Sequence, residues 1–185
     1  MTKLIVIAGI KRSASTWMFN AVRLCLLHAG RTVRGGGREV YSDPGSGYEY
    51  GICKTHPFER EIADNADWIF TTDRDDMGIR YSLKRCFGSS LTDHRLSRMR
   101  DNLNAWKRRC GKVGCYHAHF DFIITDPTSV VADVARILEL GFKDADVMAV
   151  CKALDAIRPP EEGHDAETLL FPGHISEKYL KGEAV

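Results

Sequence analysis

Three short stretches concentrate the side chains best suited to chemistry on an anion. The first is Gly9-Ile10-Lys11-Arg12-Ser13-Ala14-Ser15-Thr16, placed between an apolar run and a segment of helical periodicity. A loop that enters a helix offers free backbone N–H groups and the positive end of the helix dipole, which together bind phosphate. Arg12 adds fixed charge, Ser13, Ser15 and Thr16 add hydroxyl donors, and the small Ala14 lets the backbone approach an anion. Against the pattern G-x-x-x-x-G-K-[ST], Gly9 and Thr16 match, Ala14 replaces the second glycine and Ser15 replaces the lysine. The loop keeps a phosphate cradle without the lysine that bridges the β- and γ-phosphates of ATP.

The second stretch is Lys54-Thr55-His56-Pro57. A neutral imidazole can accept a proton from an attacking hydroxyl, and a neighbouring lysine can offset negative charge that develops beside it. The third runs from Asp73-Arg74 to Ser82. Arg74 falls at the end of an apolar segment, and Ser82 about two turns into the next helix.

In order and spacing these stretches resemble the PAPS-dependent sulfotransferases. Lys11 to Trp17 is similar to the family's P-K-S-G-T-T-W loop, with Arg12 at the lysine position and Ala14 at the glycine position. Lys54-Thr55-His56 resembles its K-T-H segment, and Arg74 with Ser82 its R-x-P-x-D-x-x-x-S segment, without the proline. The resemblance implies sulfuryl transfer from PAPS to a hydroxyl or amine, leaving PAP, with no metal required. His56 is then the general base, with Lys54 and Arg12 as its catalytic partners. Arg12, Ser13, Ala14, Ser15 and Thr16 would hold the 5′-phosphosulfate, Trp17 would stack on adenine, and Arg74 and Ser82 would hold the 3′-phosphate. His174 and Ser176 are further 3′-phosphate candidates in a tail where the family's R-K-G loop is missing. By chemistry alone Trp17 reads almost equally as a core residue. The acceptor implied is a small molecule or a carbohydrate. Two other readings stay open: a P-loop small-molecule kinase, with Asp73 near Mg²⁺, and a non-catalytic nucleotide-binding module.

The elements that must position these residues follow from periodicity. Strands are expected at Lys3–Gly9, Gly51–Thr55, Asp67–Thr72 and over much of 112–122, and helices at 16–29, 59–66, 75–87, 91–109, 127–138 and 145–157. Residues 31–50, with Gly35-Gly36-Gly37, Pro44, Gly45 and Gly47, read as loop. Alternating strands and helices predict an α/β fold: one three-layer, P loop NTPase-like domain over 1–185, with a mostly parallel sheet of four to five strands flanked by helices. In such sheets ligands bind beyond the carboxyl ends of the strands, where all three stretches fall.

Composition bounds the rest. The 185 residues are 44% hydrophobic and 28% charged, with a net charge of +1, so no global field points to nucleic acid as a partner. No apolar run reaches the roughly 20 residues of a membrane span. With no export signal in view, a cytoplasmic location and six reduced cysteines are expected. Cys115, His117 and His119 share a strand face near Cys110, but they lack the paired spacing of a zinc site. The basic residues between Arg95 and Arg109 read as a solvated helix face, or as the mouth of a pocket for an anionic donor or acceptor.

Overall fold

The computed structural model describes residues 2–43, 45–110 and 113–172. Five strands form one sheet in the order β2-β3-β1-β4-β5, and every pairing is parallel. They are β1 (Lys3–Gly9), β2 (Val33–Gly36), β3 (Tyr50–Thr55), β4 (Trp68–Asp73) and β5 (Gly114–His119). The helices are α1 (Ser15–His28), α2 (Glu39–Ser42), α3 (Arg60–Asn65), α4 (Asp76–Phe87), α5 (Asp93–Arg109), α6 (Phe120–Thr125), α7 (Pro127–Ile137) and α8 (Asp144–Ala156).

Strand side chains alternate between the two faces of the sheet, and each face has its own core. Ile5, Ile7, Ile52 and Phe70 pack against α1, α7 and α8 through Phe19, Val22, Val130, Val134 and Val150. Leu4, Val6, Ala8, Cys53 and Ile69 pack on the opposite face against Ile62 of α3 and Trp106 of α5. This is the expected three-layer α/β arrangement. A third cluster, Ile10 with Ile79, Leu83, Leu91, Leu96 and Leu103, seats the loop after β1 against α4 and α5.

Two expectations are corrected. The glycine-rich stretch 31–50 is not simply loop: it contains edge strand β2, paired with β3 in the register Val33↔Tyr50 to Gly36↔Cys53, and the short α2. Gly35 and Gly36 answer a packing need rather than a turn. A Cβ on Gly35 would lie 2.6 Å from Cζ of Phe19, and one on Gly36 would lie 2.7 Å from a methyl of Val40. The second correction is that the strand expected to run towards Phe122 stops at His119. There the imidazole Nδ1 accepts from the Asp121 amide at 3.4 Å and helix α6 begins.

Because Phe19 is fully buried, it has little room to yield. Gly35→Ala is therefore expected to destabilise the protein by about 1–3 kcal/mol, the usual cost of overpacking. Denaturant unfolding of the two proteins measures the difference, and an unchanged midpoint would show that α1 slides freely over β2.

Candidate active site

The loop after β1 is drawn onto the end of β4. The Ser13 hydroxyl donates to the Ile10 carbonyl at 2.6 Å and lies 2.8 Å from the Thr72 hydroxyl. Gly9 admits this closure, since a Cβ there would sit 2.3 Å from Thr72 Oγ1. Arg12 and Ala14 both take left-handed backbone angles, φ 70° and 65°, which cost non-glycine residues roughly 1–2 kcal/mol each. Ala14 is the N-cap of α1, and the first helical bond runs from the Met18 amide to its carbonyl at 3.0 Å. The amides of Ser15, Thr16 and Trp17 thus belong to the unpartnered first turn.

Ser15, Thr16 and Trp17 line a cavity of about 1490 Å³, together with Lys11, Arg12, Ala14, Lys54, His56, Arg74 and Ser82. Residues expected from three separate stretches meet on one surface. Ser13 is the exception. Its hydroxyl is fully buried and committed to Ile10 and Thr72, so it shapes the loop instead of facing the cavity. His174 and Ser176 lie outside the described residues.

His56 follows β3, and its Nδ1 lies 2.7 Å from the Gly9 carbonyl. A carbonyl only accepts, so Nδ1 carries the proton and Nε2 keeps the lone pair. Burial, then the Lys54 charge, lowers the imidazole pKa to about 4, against a smaller upward pull from the Gly9 bond and with a further downward push from Lys11. The ring is therefore neutral near pH 7. Burial also lowers Lys54, to about 8, assisted by the charges of Lys11 and Arg12.

A second cationic group gathers on α4. The Arg12 Nε donates to the Ser82 hydroxyl at 2.8 Å, and its Nη2 reaches Cys86 Sγ at 3.1 Å. The Arg12 guanidinium thus reaches Ser82, while its charge is also felt at Lys54. Burial is the main influence lowering its pKa, and Arg85 and Arg74 lower it further while Cys86 opposes them. Arg74 is buried, with its guanidinium carbon 3.7 Å from the centre of the Phe120 ring. Gly78 leaves the space for it, since a Cβ there would meet Arg74 Nε at 2.4 Å.

The comparisons with known proteins bear on this geometry. The mouse sulfotransferase SULT7A1, solved with PAP, superposes with a TM-score of 0.63 at 8% identity, over 98% of this chain and 81% of that one. Retinol dehydratase, solved with androsterone and PAP, superposes with a TM-score of 0.61 at 9% identity. The match covers 82% of this chain, which spans 64% of the length of that enzyme. The chain has a sulfotransferase-like fold. No protein-family model matches its sequence, and no curated protein matches it either.

Within this sulfotransferase-like fold, Arg85 is a site residue that the motifs did not reveal. It stands three residues after Ser82 on α4 and lines the cavity, and its buried Nε has no hydrogen-bond partner among the described residues. Its i, i+3 spacing from Ser82 was the available signal. The segment after α8 was also missed. It contributes Leu169, Leu170 and Phe171 to the cavity wall. Asn20 of α1 holds it by donating to the Thr168 carbonyl at 2.9 Å, Arg23 pairs with Glu167, and Phe171 packs on Phe87.

Asp73 is held by Arg100 and by Lys107, the latter at 3.2 Å. Burial would raise this carboxyl, but those cations prevail and its pKa falls below the ordinary value. No cluster of three or more His, Cys, Asp or Glu side chains able to hold a metal occurs among the described residues. His117 instead pairs with the Thr71 hydroxyl at 2.9 Å. No described helix is long and apolar enough to cross a membrane, and all six cysteines are free thiols.

The lowered His56 pKa has a testable sign. The unfolded chain titrates near 6.5 and the folded chain near 4, so on acidification the unfolded state takes up the proton first. Stability is expected to fall as pH drops from about 6.5 to 4 and to lose this dependence in His56→Gln. The His56 ring resonances followed by NMR should shift near pH 4. A midpoint near 6.5 would show the ring to be solvated.

Proposed function

We propose that the protein is a sulfotransferase that moves a sulfuryl group from PAPS to a hydroxyl or amine acceptor. The observation that carries this reading is the division of the cavity wall into two cationic groups joined by the loop. Lys11, Lys54 and neutral His56 form one, and Arg12, Arg74 and Arg85 around Ser82 form the other. A donor with phosphate at both the 5′ and 3′ positions needs two such places, whereas ATP carries its phosphates at one end. The Arg85 Nε, without a hydrogen-bond partner among the described residues, the first-turn amides and the cavity-lining Trp17 fit the 3′-phosphate, the 5′-phosphosulfate and the adenine in turn.

PAPS supplies a sulfuryl group on a phosphate leaving group. His56 Nε2 takes the acceptor proton as the acceptor oxygen bonds to sulfur. The bond from sulfur to the phosphate oxygen breaks, and that oxygen keeps the electron pair. Lys54 and the loop amides stabilise charge on the sulfuryl and departing phosphate oxygens. The Gly9 carbonyl holds the ring in the tautomer required and stabilises the imidazolium that forms. Bound anions oppose the Lys54 and Lys11 charges that depress His56, and so raise its basicity when the donor is present.

Calorimetric titration with PAP, beside ATP and ADP with Mg²⁺, tests the donor. PAP should bind in preference, and Arg74→Ala and Arg85→Ala should each weaken it by roughly 10- to 100-fold, the scale of a lost charge-assisted hydrogen bond. Neither change should alter ADP binding as much, because ADP has no 3′-phosphate. Preference for ATP without PAP binding overturns the reading in favour of a kinase. His56→Ala should retain PAP binding and lose about 10²–10⁴-fold in turnover. PAP binding with no sulfation across a broad acceptor panel would identify a nucleotide-binding module instead.

A further inference from the structure

A smaller cavity of about 210 Å³ adjoins the first and shares Lys11, His56, Arg95 and Met99 with it. Its remaining wall is Gly9, Ile10, Pro57, Arg98 and Asn102. None of Arg12, Arg74 and Arg85 lines it. A cavity of about 150 Å³ holds benzene, so this one takes a single ring with a short substituent.

The charge around it is one-sided. Lys11, Arg95 and Arg98 line it, and no carboxylate does. Many other arginines of the chain are spoken for, among them Arg31, Arg34, Arg38, Arg80, Arg100 and Arg109, which each pair with an Asp or Glu. Arg95 and Arg98 pair with no carboxylate among the described residues. The helix that carries them is held in place. On the same face of α5, Asn102 accepts from the Phe58 amide at 2.8 Å and Trp106 donates to the Pro57 carbonyl at 3.2 Å. The helix is thereby fastened to the turn that carries His56, with Arg95 and Arg98 one to two turns beyond the fastening.

We infer that this cavity binds the acceptor, and that the acceptor is a hydroxyl compound of single-ring size bearing an anionic group. Its hydroxyl lies at His56 and its anionic group at Arg95 and Arg98. The inference rests on the sulfotransferase reading for the hydroxyl's role, while the preference for an anion rests on the cavity alone. The arrangement selects by sign: an ammonium in place of the anion would face three uncompensated cations.

Three compounds of nearly the same shape test it: 4-hydroxyphenylacetate, its neutral amide, and tyramine. With PAP-loaded protein at low salt, calorimetry should show the carboxylate binding at least about tenfold more tightly than the amide, with tyramine weakest. With PAPS, kcat/KM should follow the same order, and the advantage should shrink as salt is raised. The variant Arg95→Ala/Arg98→Ala should bring the carboxylate down to the level of the amide, and Arg95→Glu/Arg98→Glu should favour tyramine. Circular dichroism and melting of these surface variants establish that they are folded. Equal binding of acid and amide, no binding of any of the three, or a preference that survives both double variants overturns the inference. Selective binding of the acid without sulfation counts against the sulfotransferase reading and leaves the anion site standing. Equal sulfation of all three does the reverse.

Discussion

The site depends on one backbone position, Gly9, where the ends of three strands converge. Its missing side chain gives Thr72 room to reach Ser13, which fixes the loop against β4. Its carbonyl meets His56 at the end of β3. One residue at the end of β1 therefore sets both the shape of the anion cradle and the tautomer of the imidazole. A parallel sheet makes this possible, because its carboxyl ends all fall along one edge and their loops must share the same space.

Electrostatics then divides that edge. The chain as a whole is nearly neutral, so the positive potential of the cavity arises from where its charges lie rather than how many there are. Asp73, next to Arg74 in the chain, is engaged by Arg100 and Lys107 of α5. The Arg74 guanidinium lies on the Phe120 ring and lines the cavity. Burial first, and the crowding of cations second, lower the pKa values of Arg12, Lys54 and His56. An anionic ligand relieves that crowding, which couples affinity to charge.

Much of this was legible in the sequence because it depends on local pattern. The span of β1, the loop that follows it, the His56 turn and the Arg74–Ser82 spacing are all encoded within a few residues of one another. What was not legible depends on distant partners. Gly35 and Gly36 look like turn residues until Phe19 and Val40 are seen to occupy the space their side chains would need. Ser13 reads as a ligand donor until Thr72 is placed beside it. The direction of Arg12 is set by Ser82 and Cys86, some seventy residues away, so its position in the loop said little about which end of a ligand it would meet. Arg85 was hidden for the opposite reason: an arginine on a helix is ordinary, and only burial of its Nε sets it apart.

The left-handed turn at Ala14 carries a consequence for how affinity is obtained. A glycine would adopt that conformation without strain, but it would also visit many others, and a ligand would have to select among them. Alanine accepts a steric cost during folding and has fewer alternatives to explore afterwards. Under the proposed function, the cradle would then be ordered before the donor arrives, leaving binding less entropy to remove.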